Sequence, residues 1–79
     1  MTRYFFHVHD AAGVASDEEG RELVDHSQAE RVALEGARSL ICADVKAGVL
    51  DLSGCIHVAD ESGAVVLVVA FVDAVEVRA

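Results

Sequence analysis

The run from Ala64 to Val72 is apolar at every position, and this feature limits the possible folds more than any other part of the chain. A membrane-spanning helix needs about 20 apolar residues, so the run is too short to cross a bilayer. A strand with one solvent-facing side alternates between apolar and polar residues, whereas continuous apolar character is typical of a strand buried on both faces. We therefore predict a last strand over Val65 to Val72 that is covered on both sides.

The segments before this run predict further strands. Tyr4 to His9 and Cys55 to Asp60 alternate in polarity, as strands do. Val14 to Ser16 could form a hairpin with the first strand, and Arg21 to Val24 could pair with it again. Asp60 to Gly63 reads as a turn with glycine at a left-handed position.

A helix is predicted between the early strands and the late ones. Ser27 and Glu30 match an S-x-x-E capping box, which satisfies two of the free amides at a helix start. Gly48 is suited to the C-terminal end. Apolar residues recur between these ends at steps of three and four on one face, and they are Ala29, Val32, Ala33, Ala37, Leu40, Ile41 and Val45.

The order strand, short strand, helix, strand, strand predicts a small α+β domain, in which one helix packs on one face of an antiparallel sheet. With 79 residues, we expect one domain over residues 1–79. One helix covers one face only, so Phe5, Val66, Val68 and Ala70 are predicted on the uncovered face. An exposed apolar patch indicates an association surface. We therefore expect a homodimer, formed through the sheet faces or through the edges of the last strands.

The charge balance bears on the class of partner. The chain has 14 acidic and 6 basic residues, for a net charge of -8. Nucleic-acid binding depends on lysines and arginines that neutralise phosphates, and here these residues are few and scattered. We therefore expect no nucleic-acid partner, whereas a basic protein partner would fit the charge.

The chain shows no secretory leader and no membrane-spanning segment, so we expect a cytoplasmic protein with no membrane partner. Its only cysteines, Cys42 and Cys55, are interpreted as reduced thiols rather than as a disulfide.

Three histidines suggest a second kind of site. His7 and His9 share one side of their strand, and His57 joins them if its strand has the expected register. These imidazoles could bind zinc, with Cys55 or Asp10 as a further ligand. The alternative is that the histidines are exposed or lie in an interface, which they could make sensitive to pH.

No catalytic arrangement is evident. Cys55 and His57 share a side of their strand but lie about 7 Å apart, too far for a nucleophile and its base. Ser27 is assigned to the helix cap, and no glycine-rich loop joins a strand to a helix as phosphate binding would require. We therefore expect no enzymatic activity and no cofactor.

Several motifs together resemble a family of short bacterial proteins defined only as a domain of unknown function. They are R-Y-F-F-H-V at Arg3 to Val8, D-E-E-G-x-E-L at Asp17 to Leu23, and D-E-x-G at Asp60 to Gly63. The acid at Asp25, the alanine-rich helix, Phe71 and Asp73 add to the resemblance, which covers nearly the whole chain. That family typically has a proline just before the acid that leads into the helix, where this chain has Val24. The resemblance implies no catalytic residues.

The chain is also loosely similar to the antidote proteins of HicB-type toxin–antitoxin pairs, in which a hairpin and an alanine-rich helix form a domain that inhibits a basic ribonuclease. The acidic composition fits this similarity, but the chain lacks the DNA-binding tail. The sequence thus favours a non-enzymatic, self-associating protein-interaction domain. Metal binding by the histidines and antitoxin-like inhibition of a basic protein are the alternatives.

Overall fold

The computed structural model describes residues 1–79 as one antiparallel sheet of five strands with a long helix packed against it. This arrangement confirms the predicted α+β class. In chain order the elements are β1 Thr2–Asp10, β2 Gly13–Ala15, β3 Arg21–Leu23, α1 His26–Lys46, β4 Cys55–Ala59, β5 Val65–Ala70 and α2 Phe71–Ala74. Neither helix combines the length and the apolar character needed to cross a bilayer.

Strand β1 organises the sheet, whose order is β2-β1-β4-β5. One edge of β1 pairs with β2 near its end and with β3 near its start, and the other edge pairs with β4. Both predicted short strands are therefore present. The predicted turn between β4 and β5 is also confirmed, because Gly63 has a φ of +87° and its amide donates to the carbonyl of Asp60.

The start of α1 differs from the prediction. The N-cap is Asp25, whose Oδ1 accepts from the amide of Gln28, while Oε1 of Gln28 accepts from the amide of Val24. This pair resembles a capping box two residues before the predicted one, except that Gln28 accepts from the amide of Val24 rather than from that of the N-cap residue. The assignment of Ser27 and Glu30 as the box is therefore wrong. An aspartate followed three residues later by a glutamine supplies the same two acceptors.

The other end of α1 agrees with the prediction. Gly48 follows the C-cap with a φ of +88°, and its amide donates to the carbonyl of Val45. The next amide, that of Val49, donates to the carbonyl of Asp44. These two bonds form the Schellman arrangement, which ends the helix and requires a left-handed residue.

The buried side of α1 consists of Ala29, Ala33, Ala37 and Ile41. Three alanines in succession let the helix axis lie close to the sheet, where this side joins one buried cluster with Tyr4, Leu23, Ile56, Val58, Val69, Phe71 and Ala74. The predicted apolar face was too wide at its C-terminal end. Leu40 and Val45 are exposed, although Ile41 between them is buried.

Within the chain, strand β5 is covered on one side only, so burial of its other side stays a prediction that depends on a second molecule. It is the last strand of the sheet, and Val65 and Val68 are each 52% exposed. The strand is also shorter than predicted, since Phe71 and Val72 belong to α2. The physical reason is that the chain has one sheet-covering helix and no further strand to place beside β5.

The predicted placement of Val66 on the uncovered face is also wrong. Val58 lies opposite Leu67, whereas Ala59 lies opposite Val65, so the register shifts by one residue at Val66. A β-bulge of this kind disrupts the alternation of side chains. Val66 therefore packs against the buried cluster on the helix side, and Val65 takes its place on the other side.

Candidate functional site

The sheet face opposite α1, called the open face below, carries most of the residues predicted to be functional. The strand pairings place His7, His57 and Val68 in one row across β1, β4 and β5. The next row consists of His9, Cys55 and Ala70. Side chains that are directly opposite in a sheet share a face, so the expectation that the three histidines lie on one side of the sheet is met.

The histidine rings contact one another closely. The centroids of the His9 and His57 rings lie 3.8 Å apart with an interplanar angle of 20°, which is a stacked arrangement. The pKa of His57 is lowered from its usual 6.5, first by partial burial and then by the neighbouring His9 and His7. Each of these effects disfavours a positive charge on the ring, so the geometry favours the neutral form of His57.

The third ring, that of His7, is held by the loop before β3. Its Nδ1 accepts a hydrogen bond of 3.0 Å from the amide of Asp17. In neutral imidazole this bond places the proton on Nε2, which leaves neither ring nitrogen free for a metal ion. No group of three or more histidine, cysteine, aspartate or glutamate side chains is placed to hold a metal. The arrangement gives the predicted zinc site of His7, His9 and His57 no geometric support.

Asp17 organises the loop that closes the β3 side of the sheet. Its carboxylate accepts from the amides of Phe6, Glu19 and Gly20 at 3.1, 3.2 and 3.1 Å. Partial burial alone would raise the pKa of Asp17, but these backbone hydrogen bonds, together with the nearby His7, outweigh burial and lower the pKa below 3.8. The carboxylate is therefore ionised at neutral pH and acts as a structural anchor.

Gly20 completes this loop by packing against the ring of Phe5. The glycine has a φ of +70°, and a Cβ there would lie 2.8 Å from the Phe5 ring and 2.8 Å from the carbonyl oxygen of Tyr4. The loop thus covers one side of the Phe5 ring, which is half-buried. An aspartate followed three residues later by a glycine is a typical loop signal, and both residues of the D-E-E-G motif shape this loop.

The far side of the open face differs, because nothing in the chain covers it. Val65 and Val68 are exposed, and Ala70 is half-buried beside Cys55. No hydrogen bond outside the strand ladder reaches the backbone of Val65–Ala70. This side joins an apolar surface to a free strand edge. It carries Val68 and Ala70 of the predicted interface residues, with Val65 in place of Val66, whereas Phe5 lies on β1 beside the Asp17 to Gly20 loop.

The surface depressions of the molecule are small. The largest, of about 170 Å³, is lined in part by the carboxylates of Asp10, Asp44 and Asp51. Asp51 already accepts from the amide and hydroxyl of Ser53, and Asp10 accepts from the amide of Ala12. Pockets for small ligands usually hold about 300 to 1,000 Å³, so this depression does not resemble a substrate site.

A protein-family model described as a domain of unknown function, DUF6894, matches residues 3–72 of the chain. No curated protein and no solved structure matches the chain significantly.

Proposed function

Because the chain belongs to the DUF6894 family of domains of unknown function, we propose its function from its own geometry: it is a non-enzymatic protein-interaction domain that associates with a second copy of itself. The observation that carries this proposal is the state of β5. The strand is apolar at all six positions and lies last in the sheet, and no other element covers its outer side.

The composition of the core supports the proposal. Only 13 of the 79 residues are buried, and five of these are alanines, namely Ala29, Ala33, Ala37, Ala59 and Ala74. Small domains with a limited core commonly obtain further stability from a second subunit. Complete burial of a valine side chain contributes about 1.5 to 3 kcal/mol, so covering the half-exposed Val65 and Val68 would contribute about 2 kcal/mol in each subunit.

The same geometry supports a non-enzymatic role. The open face carries a cluster of three histidines. The rings of His9 and His57 stack on each other, and the ring of His7 accepts a hydrogen bond from a backbone amide. No nucleophile lies in a pocket large enough for a substrate, since the depressions are small. The proposal includes a cytoplasmic location, because Cys42 is exposed and Cys55 is half-buried, and both are unpaired as expected in a reducing compartment.

Two earlier hypotheses stay predictions without geometric support. Metal binding would require His7 to give up its bond with the amide of Asp17. Antitoxin-like inhibition of a basic protein fits the net charge of -8, but no described contact indicates such a partner. The experiment below would recognise metal binding as a metal increment on the mass of the subunit.

The proposal is tested by the native mass spectrum of protein purified without chelator, which reports subunit number and bound metal together. We expect a metal-free dimer with twice the 8.4 kDa mass of the chain. The variant Val68→Lys should shift the protein to the monomer, because a charge on the outer strand would be desolvated in the interface. The matched control is Val49→Lys, because Val49 is 54% exposed, as Val68 nearly is, and lies beyond the end of α1 rather than in a strand.

Circular dichroism should show that both variants remain folded, since exposed substitutions away from special features change stability by about 0.5 kcal/mol or less. A wild-type spectrum that contains only the monomer would overturn the proposal. A metal increment on each subunit that disappears in His7→Ala would replace it with the metal-binding hypothesis.

A further inference from the structure

We propose that the free edge of β5 pairs in antiparallel fashion with the same edge of a second copy, so that two five-stranded sheets become one continuous sheet. This inference rests on the proposed self-association and specifies its mode. The alternative mode, packing of one open face on another, would use the same valines but would leave the β5 backbone unpaired. The two modes therefore differ in which atoms of the chain are covered.

The direction of the backbone groups in β5 follows from a hydrogen bond at its end. The amide of Phe71 donates to the carbonyl of Gly54 at 2.9 Å, so it points toward the β4 side of the sheet. Successive backbone groups in an extended strand point to alternate edges, and Ala70 is extended, with a φ of -75° and a ψ of 141°. The backbone N–H and C=O groups of Val69 therefore point toward β4. Those of Val68 and Ala70 point toward the free edge.

These outward groups have no partner within the chain. The sheet ends at β5, and no side chain or loop donates to, or accepts from, the backbone of Val65–Ala70. An exposed edge of this kind is a template for pairing with another strand, and natural proteins usually protect it with charges, proline or a covering element. The outward N–H and C=O groups can therefore form a hydrogen-bonded strand ladder with a partner strand, next to the exposed valine side chains of β5.

Beyond the bulge at Val66, the edge of β5 from Leu67 to Ala70 lacks the usual protection against pairing. The chain carries 20 charged residues, yet none lies between Glu61 and Asp73, and the chain contains no proline. With a net charge of -8, two copies repel each other over most of their surface. The uncharged β5 strip is the part of the sheet on which they can approach at the lowest electrostatic cost.

A second copy suits this edge better than a foreign strand does. Antiparallel pairing of a strand with itself is compatible with a two-fold axis, so the outward groups of each copy meet the same groups of the other. The side chains also match, because Val68 of both copies would extend the open face and Leu67 of both would extend the helix-covered side. Every side chain brought together across the new ladder would be apolar.

Amide hydrogen exchange followed by NMR tests the mode directly. In the edge-paired dimer the amides of Val68 and Ala70 are bonded across the two-fold axis, so they should exchange at least about tenfold more slowly than in a monomeric sample. The amides of Leu67 and Val69 serve as an internal control, since those strand positions face β4. The monomeric reference is obtained by dilution below the dissociation constant or with Val68→Lys, for which Ala70 is the reporter.

The variants Val68→Pro and Val68→Ala provide a second test. Proline is tolerated on an edge strand but removes the outward N–H, whereas alanine keeps that N–H and removes only side-chain atoms. We expect Val68→Pro to abolish the dimer and Val68→Ala to weaken it. If Val68→Pro fails to fold, the exchange of the Ala70 amide in the wild-type protein still decides the result.

The possible outcomes distinguish the mode of association, pairing of the β5 edges, from self-association itself. A dimer with protected Val68 and Ala70 amides supports edge pairing. A dimer whose Val68 and Ala70 amides exchange as fast as in the monomer overturns edge pairing but leaves self-association intact. A chain that is monomeric at every concentration overturns both.

Discussion

The two outer edges of the sheet are built in opposite ways. At the β2 and β3 edge, the strands are short, and the loop from Asp17 to Gly20 closes over the open face with hydrogen bonds to its own backbone. At the β5 edge, the strand is six residues long and apolar, and its outward backbone N–H and C=O groups have no hydrogen-bond partner within the chain. The chain thus satisfies the amide of Phe6, which lies between the β2 and β3 pairings on β1, with its own Asp17, whereas the outer backbone of β5 has no partner within the chain.

This difference indicates that the two edges contribute to different equilibria. Contacts around Asp17 are formed within one chain, so changes there should alter the free energy of unfolding. The β5 edge gains contacts only when a second copy binds, so changes there should alter association and leave the folded monomer intact. Variants that fail to separate these two effects would contradict the comparison.

The largest effect on unfolding is expected for Asp17→Ala. The substitution leaves the amides of Phe6, Glu19 and Gly20 without their acceptor. Since bonds to a charged group are stronger than neutral ones and these are partly solvated, the loss should be about 3 kcal/mol in urea denaturation at pH 7.

The matched control is Asp10→Ala, which removes one exposed bond to the amide of Ala12 and should cost about 0.5 kcal/mol. Equal losses for the two variants would show that the loop at Asp17 has no special role. The Asp17 contribution also depends on pH, because its pKa is lowered in the folded state. The contribution should be present above the unfolded pKa of about 3.9 and disappear as the pH falls through the lower folded value.

A smaller effect is expected for Gly20→Ala. The new Cβ would need a positive φ and would approach the carbonyl oxygen of Tyr4 and the ring of Phe5 at 2.8 Å. Strain and crowding together should lower the free energy of unfolding by about 2 kcal/mol. Gly63→Ala is the control, because Gly63 also has a positive φ but no atom lies within 4 Å of the added Cβ, so only about 1 kcal/mol should be lost. Thermal unfolding would rank the two, and a larger loss for Gly63→Ala would contradict the packing described at Gly20.

The smallest effect is the pH dependence conferred by His57. Its pKa is lowered in the folded state by partial burial and by the His9 and His7 rings of β1, while its partner on β5 is the uncharged Val68. The unfolded chain therefore binds a proton more readily below pH 6.5, and stability should decrease as the pH falls from 6.5 through the lower folded pKa. Denaturation measured across this range should show a weaker dependence in His57→Gln than in the wild-type protein, and an identical dependence would exclude the proposed role of the ring.

The sequence was sufficient to predict the elements whose signals are local. Alternation in β1 and β4, the periodicity of α1, and the glycines at positions 48 and 63 all depend on neighbouring residues, and the structure confirms them. The histidine row was also predictable, since it follows from strand alternation once β1 and β4 are paired.

Other features depend on contacts that neighbouring residues do not encode. The bulge at Val66 arises from the pairing of β5 with β4, and it moves that side chain to the helix side. The sequence prediction began the helix cap at Ser27, whereas the structure places the N-cap two residues earlier, at Asp25. The apolar pattern of β5 predicted burial on both faces, but a pattern cannot show whether the covering surface belongs to the same chain.

The central claim is that the bare β5 edge makes the chain associate with itself, and sedimentation equilibrium of the wild-type protein across a wide concentration range tests it most directly. The account predicts a mass that rises with concentration from 8.4 kDa to twice that value, and a constant monomer mass for Val68→Lys over the same range. A wild-type mass that stays at 8.4 kDa at every concentration would contradict the claim.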